Sequence, residues 1–303
     1  MAVTSPPRMR HDFAIVAMDT WVSIQVVSDQ PRAAIESHVD RALAWFDSVE
    51  RTCTRFDASS EVMQLIHHVG QPVNVSTMLL EVAAFALDLA AQTDGAFDPT
   101  IGATLEQLGF NVHYRSGEQI HSAVETSGLS FRDVRVDRRR GTITLRRPLV
   151  LDLNAVSKGL AIDLAAHELR AFADVSVEAG GDLYVRGHNA LGEPWRIGIQ
   201  HPRAEGLLAR TLLVTDSAVC TSGDYERHAP GPGAETHILD GRTHRPVSDL
   251  ASVTVVAPTA MAADGLSTAA MVLGRERGQL FLKQQGVGAL FVSPDGSSVE
   301  CNL

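Results

Sequence analysis

Segments patterned as strands and as helices follow one another in this chain without steady strand–helix–strand alternation. A doubly wound parallel sheet needs that alternation, because each parallel strand requires a crossover connection. The order therefore points to an α+β fold. Residues 13–16 and 21–27 predict two strands around Met18-Asp19-Thr20. After Asp29-Gln30-Pro31, apolar Ile35, Val39, Ala42, Phe46 and Val49 recur at gaps of four, three, four and three. That spacing predicts a helix, with the proline in its first turn and Asp29 or Gln30 before it. A second helix is expected over 77–92, with Leu79, Val82, Ala86 and Leu89 on one face. Gly95 would cap it, and Pro99 would stop a restart. The polar stretch 111–130 reads as helix plus loop, and 134–136 with 142–145 as a hairpin. Residues 149–153 read as a buried strand feeding a helix over 156–172. Strands are expected at 175–178, 184–186, 195–200, 208–214 and 252–257, then a helix over 259–273. A hairpin joins 288–292 to 297–301, and Gly231-Pro232-Gly233 marks a mobile loop.

A chain of 303 residues is one large domain or two small ones, and can bury a core without covalent staples. Its 45% hydrophobic and 20% charged content is ordinary for a globular chain and argues against disorder. A formal charge of −10 disfavours general binding to nucleic acid or anionic membrane. No apolar run approaches the roughly 20 residues that span a bilayer. Cys53, Cys220 and Cys301 are far apart and form no CxxC pair, so disulfide and zinc frameworks are not expected. Residues 1–11 read as a flexible leader without a secretory or lipid-anchor signal, and the chain as cytoplasmic. Arg132, Arg135, Arg138, Arg139, Arg140, Arg146 and Arg147 read as a solvated face around a hairpin.

Several short constellations could carry chemistry, and each has a plain structural alternative. Asp264 and Thr268 are four apart on a predicted helix, with Ser267 nearby, and so share a face. A carboxylate and a hydroxyl so placed offer the hard oxygens Mg²⁺ prefers. The alternative is a solvated aspartate near a helix start, and spacing alone favours it. Residues 152–159, Asp152-Leu153-Asn154-Ala155-Val156-Ser157-Lys158-Gly159, place a strand end at a helix N-terminus, where amides can face a phosphate. The favoured local alternative is a helix capped by Asn154 or Ser157 with Lys158 solvated. Gly180-Gly181-Asp182 permits close backbone approach to a ligand, or only a tight turn. His237 could act as a general base, although with 12 histidines any one is more often structural. No Walker A loop, GxGxxG, GxSxG or HExxH is present.

The order of the pieces is more telling than any one. TDGAFDPTIG (93–102), LDLNAVSKGLAID (151–163), EAGGDLYVRG (178–187), TSGDYER (221–227), HILDGRTHRPV (237–247) and SVTVVAPTAMAADGLSTAAMVLG (252–274) occur in sequence. Met18-Asp19-Thr20, and Arg55-Phe56 through Ser60-Glu61, add weaker early elements. On these blocks the chain closely resembles the ApbE family of FAD:protein FMN transferases from about residue 13 onward. The resemblance implies a T-fold-related α+β architecture of mixed or antiparallel sheets with packed helices. It also implies one domain over 12–303, or two closely packed subdomains within it.

The resemblance further implies FAD in a cleft with a divalent metal at its pyrophosphate. Met18, Ala96, Phe97, Asp98, Asp152, Lys158 and Ile238 match FAD-contacting positions, and Tyr225 and Gly180-Gly181-Asp182 match motifs lining the cleft. Ala155, through its carbonyl, Asp264 and Thr268 match the Mg²⁺ ligands. His237 matches the histidine near the reacting phosphate. The implied reaction is Mg²⁺-dependent: a Thr or Ser hydroxyl of an acceptor protein attacks the FMN-side phosphorus of FAD, and AMP leaves. An FAD pyrophosphatase and a non-catalytic FAD-binding protein are the competing readings. The chain departs from the family pattern at Asp19, where glycine is usual. Asn154 and Ser157 replace small residues, and Gly241 and His244 stand in place of Pro and Gly.

Overall fold

The computed structural model describes residues 8–226 and 236–303; the expected loop at 231–233 and most of the expected leader lie outside them. The chain opens with β1 (Arg10–Ala17), β2 (Thr20–Val27), α1 (Arg32–Cys53), α2 (Glu61–Gln64), β3 (Val73–Asn74), α3 (Thr77–Gln92) and α4 (Gly102–Gln107). β4 (Val134–Asp137), β5 (Thr142–Leu145), α5 (Asn154–Glu168), β6 (Asp174–Ala179), β7 (Asp182–Arg186), β8 (Trp195–Gln200), β9 (Leu208–Val214) and β10 (Ser217–Gly223) follow. It ends with β11 (Leu239–Asp240), β12 (Arg245–Pro246), β13 (Ser252–Ala257), α6 (Ala260–Leu273), α7 (Arg275–Gln285), β14 (Gly288–Val292) and β15 (Ser298–Cys301).

The main sheet runs β1-β2-β6-β7-β10-β13-β14-β15, and every pair in it is antiparallel. The α+β expectation therefore holds. Residue parity decides what each face meets. Val22, Ile24, Val26, Val175, Val177, Ala218, Cys220, Val253, Val255, Ala289 and Phe291 point to one face and join the large core with α1, α5 and α6. Leu183, Val185 and Val219 point the other way, against Trp195 and Val214 of the β8–β9 ribbon. Helix α1 buries Ile35, Val39, Ala42, Phe46 and Val49, the stripe its spacing requires. Helix α3 spans the expected residues and is capped by Ser76, whose Oγ accepts from Leu79 N–H.

Helices α5 and α6 approach unusually closely. A Cβ built on Gly159 would lie 2.4 Å from Ala260 O and 2.6 Å from Met261 Cα. Asp163 of α5 also caps α6: its two oxygens accept from Ala260 N at 2.7 Å and Met261 N at 2.9 Å. That fixes α6 against α5 in both axial position and rotation.

Several local expectations change. Residues 149–153 are buried but belong to no sheet, because their backbone bonds to the turn opposite: Asp152 N donates to Pro99 O and Gly102 N to Val150 O. Pro99 does not stop the chain from coiling. It opens a 3-10 turn whose donors Asp98 caps, a place where a missing N–H costs nothing. That turn continues into α4. No helix forms over 111–130; His113 Nδ1 instead accepts from Arg115 N and Ser116 N, closing a tight turn beside the Val112–Gln119 bridge. Helix α5 starts two residues earlier than expected and ends at Glu168. At α1 the proline itself occupies the N-cap, ahead of the first turn. Residues 10 and 11, assigned to the leader, lie in β1. β10 and α7 form where the sequence pattern carries no clear signal.

The α5–α6 contact leaves no room for a methyl group. Gly159→Ala should lower unfolding free energy by about 1–3 kcal/mol, the usual cost of overpacking. Denaturant titration measures it, and an unchanged midpoint would mean the helices separate freely.

Candidate functional site

The turn between β1 and β2, the C-terminal end of α1, the N-terminus of α5, the end of β10 and the middle of α6 surround one cavity of about 430 Å³. Met18, Phe97, Asp98, Asp152, Ala155 and Lys158 are on its wall. So are His237, Ile238, Asp264 and Thr268. Residues separated by up to 250 positions in sequence thus meet at one place (Met18 to Thr268).

The acidic side of the cavity is organised by α5 and α6. Asp264 is 6% exposed, and its Oδ2 accepts from Gly159 N at 3.1 Å. Gly159 N–H is also the amide that helical i→i+4 geometry aims at the Ala155 carbonyl. One donor therefore links the two oxygens. Burial, reinforced by the nearby Asp182 charge, raises the Asp264 pKa well above the ordinary carboxylate range. Lys158 and the Gly159 amide only partly oppose this. A cation placed beside Asp264 would favour its charged form. Ala155, Asp264 and Thr268 stand on this cavity wall, and a main-chain carbonyl, a carboxylate and a hydroxyl are all hard oxygen donors. Among the described residues, no three His, Cys, Asp or Glu side chains converge as a metal cluster. A set with one carboxylate suits Mg²⁺, which keeps water and substrate phosphate in its shell.

Lys158 is not the solvated residue of the local alternative. Its Nζ lies 2.7 Å from Asp182 Oδ2. Burial disfavours the ammonium, but Asp182, Asp264 and Glu226 outweigh that and raise its pKa. It stays charged beside the cavity. Neither Asn154 nor Ser157 caps α5. Leu153 holds the N-cap without a side-chain bond, and Asp152 just ahead of it accepts from Asn154 N at 3.0 Å through Oδ1. Asp152 Oδ2 accepts from Arg55 Nε at 2.7 Å, and Arg55 is 3% exposed. Asp98 is likewise fixed: Oδ1 accepts from Thr100 N and Oγ1, and Oδ2 from Phe131 N. Burial nevertheless raises its pKa. The His237 and Phe110 rings meet in an inclined, edge-type contact with centroids 6.2 Å apart.

Ala96, Gly180, Gly181, Asp182 and Tyr225 lie off the cavity wall. Ala96 O accepts from Gly241 N at 2.8 Å and so docks the β11–β12 hairpin. Gly180 turns the chain from β6 to β7 at φ +57°, where a Cβ would meet Thr20 Oγ1 at 2.5 Å. Asp182 acts from behind through Lys158 and Thr221, whose N–H donates to it at 2.8 Å. Tyr225 borders a separate concavity with Arg203, Asp224 and His244.

A family model described as "ApbE family" matches residues 18–291. The chain belongs to the ApbE family. It is 32% identical to the FAD:protein FMN transferase of Salmonella typhimurium, over 92% of this chain and 83% of that one. It is 30% identical to the Vibrio cholerae protein of the same name, over 91% and 85%. The ApbE crystal structure from Thermotoga maritima superposes with a TM-score of 0.85 at 29% identity, covering 97% of each chain. The flavin transferase ApbE of Vibrio cholerae gives 0.83 at 26%, again over 97% of each.

The departures from the ApbE pattern now have a backbone reading. Asp19 (φ 61°) and His244 (φ 56°), expected to replace glycines, both adopt the left-handed conformation that glycine favours. Gly241 lies so close to the preceding strip that a Cβ would be 2.5 Å from Asp98 Cβ. Sequence reasoning missed four wall residues of consequence: Glu50, Arg55, Phe110 and Ser222. Glu50 Oε2 accepts from Met18 N, Tyr114 O–H and Arg115 Nη2, tying the β1–β2 turn to the 113–115 loop. Arg55 and Ser222 sat inside matched blocks, but nothing in their spacing showed their partners.

The raised Asp264 pKa means its charged form is the disfavoured one in the metal-free fold. Asp264→Asn keeps an acceptor for Gly159 and removes that charge. The metal-free variant should gain about 1 kcal/mol of stability, while Mg²⁺ should no longer stabilise it. Thermal denaturation at pH 7 with EDTA or Mg²⁺ checks both; a less stable metal-free variant would contradict the electrostatic reading.

Proposed function

We propose that this protein is an FAD:protein FMN transferase, moving FMN from FAD to a Thr or Ser hydroxyl of an acceptor protein and releasing AMP. The observation that carries this reading is that Ala155, Asp264, Thr268, Lys158 and His237 line one cavity in an ApbE-family fold. The names of the relatives support the flavin donor.

In the transfer, the acceptor oxygen forms a bond to the FMN-side phosphorus, and the bond from that phosphorus to the bridging pyrophosphate oxygen breaks. AMP leaves with that oxygen. The work left to the protein is positioning and charge stabilisation. Mg²⁺ held by Ala155, Asp264 and Thr268 would neutralise charge on the pyrophosphate. Lys158, kept protonated by its acidic neighbours, offers hydrogen bonds to phosphate oxygens. His237 receives or orients the hydroxyl proton. Phe97 and Phe110 give the cavity an apolar wall that limits water, the competing nucleophile. Among the described residues no helix is long and apolar enough to cross a membrane. The three cysteines are buried and unpaired, which supports a cytoplasmic setting for the reaction.

Mass spectrometry of the protein with FAD, Mg²⁺ and an acceptor domain tests the proposal. The acceptor should gain the mass of FMN minus water, AMP should appear, and EDTA should abolish both. Free FMN with an unmodified acceptor would favour the pyrophosphatase, and intact FAD a binding protein. His237→Ala should slow turnover about 10²-fold or more while FAD binding survives. Loss of FAD binding instead would make His237 a binding residue.

A further inference from the structure

Whether Thr268 can hold a cation depends on where its single hydroxyl proton goes. The surrounding hydrogen bonds fix that direction. Ser267 Oγ lies 2.8 Å from the main-chain oxygen of Asp264, which can only accept, so Ser267 donates there. Ser222 Oγ lies 2.7 Å from Ser267 Oγ. The Ser267 proton is already committed, so Ser222 donates to Ser267. Ser222 Oγ also lies 2.9 Å from Thr268 Oγ1. Its own proton being spent, Ser222 accepts, and Thr268 donates. The chain of protons thus runs Thr268 to Ser222 to Ser267 to the Asp264 carbonyl. Its far end anchors on the same residue whose carboxylate faces the cavity.

We propose that Ser222 is a positioning residue for the cation: by taking the Thr268 proton it leaves the Thr268 oxygen an acceptor toward the cavity. This rests on reading Asp264 and Thr268 as metal-binding oxygens. The fold supports the assignment independently. Ser222 shares the parity of Ala218 and Cys220 on β10, which faces the helices, and it pairs with Val253 of β13. Ser267 is fully buried and off the cavity wall, so it has no direct route to a ligand. Its effect must pass through Ser222. Without Ser222, the Thr268 proton must turn into the cavity or back onto its own helix carbonyl. The first repels a cation and the second rotates the oxygen away.

The test is Mn²⁺ affinity, read by electron paramagnetic resonance with FAD present and acceptor absent, alongside the metal-free melting temperature. Ser222→Ala should weaken Mn²⁺ binding about 10- to 100-fold, the range for residues that orient a metal ligand. Ser222→Thr, which keeps the hydroxyl, should recover most of it. Ser222→Ala added to Thr268→Ala should weaken binding no further, because Ser222 acts only through Thr268. Wild-type affinity in Ser222→Ala, or full additivity in the double variant, would overturn the inference. If Ser222→Ala does not fold, Ser267→Ala takes its place; it should also weaken Mn²⁺ binding, and unchanged affinity would overturn the inference. Asp264→Ala separates the two levels. If Asp264→Ala binds Mn²⁺ as well as the wild type does, the metal reading itself fails; if only the Ser222 and Ser267 variants match the wild type, the relay alone fails.

Discussion

The hydrogen bond from Gly159 N–H to Asp264 crosses the contact between α5 and α6, and the site is built around it. It exists only because the two helices touch backbone to backbone, which the absent Cβ at Gly159 permits. Asp163 holds the same contact one turn further along α5 by capping α6. The α5 N-terminus and the centre of α6 are thereby locked together. Ala155 and Lys158 come from one helix, and Asp264 and Thr268 from the other. A small slip between them would separate the carbonyl from the carboxylate.

The charge pattern follows from the same packing. Asp182 on β7 faces the helices by parity and lies against Lys158. Asp264 is buried beside this pair, so its carboxylate is electrostatically unsatisfied in the protein alone. An isolated ion pair would serve the fold better. The extra buried carboxylate costs stability, a cost that a cation beside it would offset. Asp152 and Asp98, by contrast, have their oxygens occupied by protein donors and shape the wall.

Much of the fold was legible because burial imposes periodicity. The stripe of α1, the span of α3 and the hairpin at 134–145 all follow from it. Residues 149–153 carry the apolar content of a strand and yet pair with a turn, since composition reports burial and not hydrogen-bond partners. Pro99 misled in the opposite way: its restriction suits the start of a turn as well as the end of a helix. β10 is hidden for a related reason, since small and polar Ser217, Thr221 and Ser222 weaken its apolar signal. On the face that meets α6, the small residues Ala218, Cys220 and Ser222 let that helix pack close and let Ser222 reach Ser267 and Thr268.

By itself the sequence determined the α+β class, the helices and strands with strong periodicity, the ApbE relationship and the set of oxygen-bearing residues. These depend on local spacing and on the order of short blocks. Only the tertiary structure decided which of those residues share a cavity, which act from behind it, and which way each hydroxyl proton points. Ala96, Gly180, Gly181, Asp182 and Tyr225 fall inside the matched blocks but off the cavity wall. Arg55 and Ser222 stand on it. The physical reason is that hydrogen-bond direction and burial are set by neighbours distant in sequence. Spacing along one segment places a side chain on a face, and packing alone supplies what that face meets.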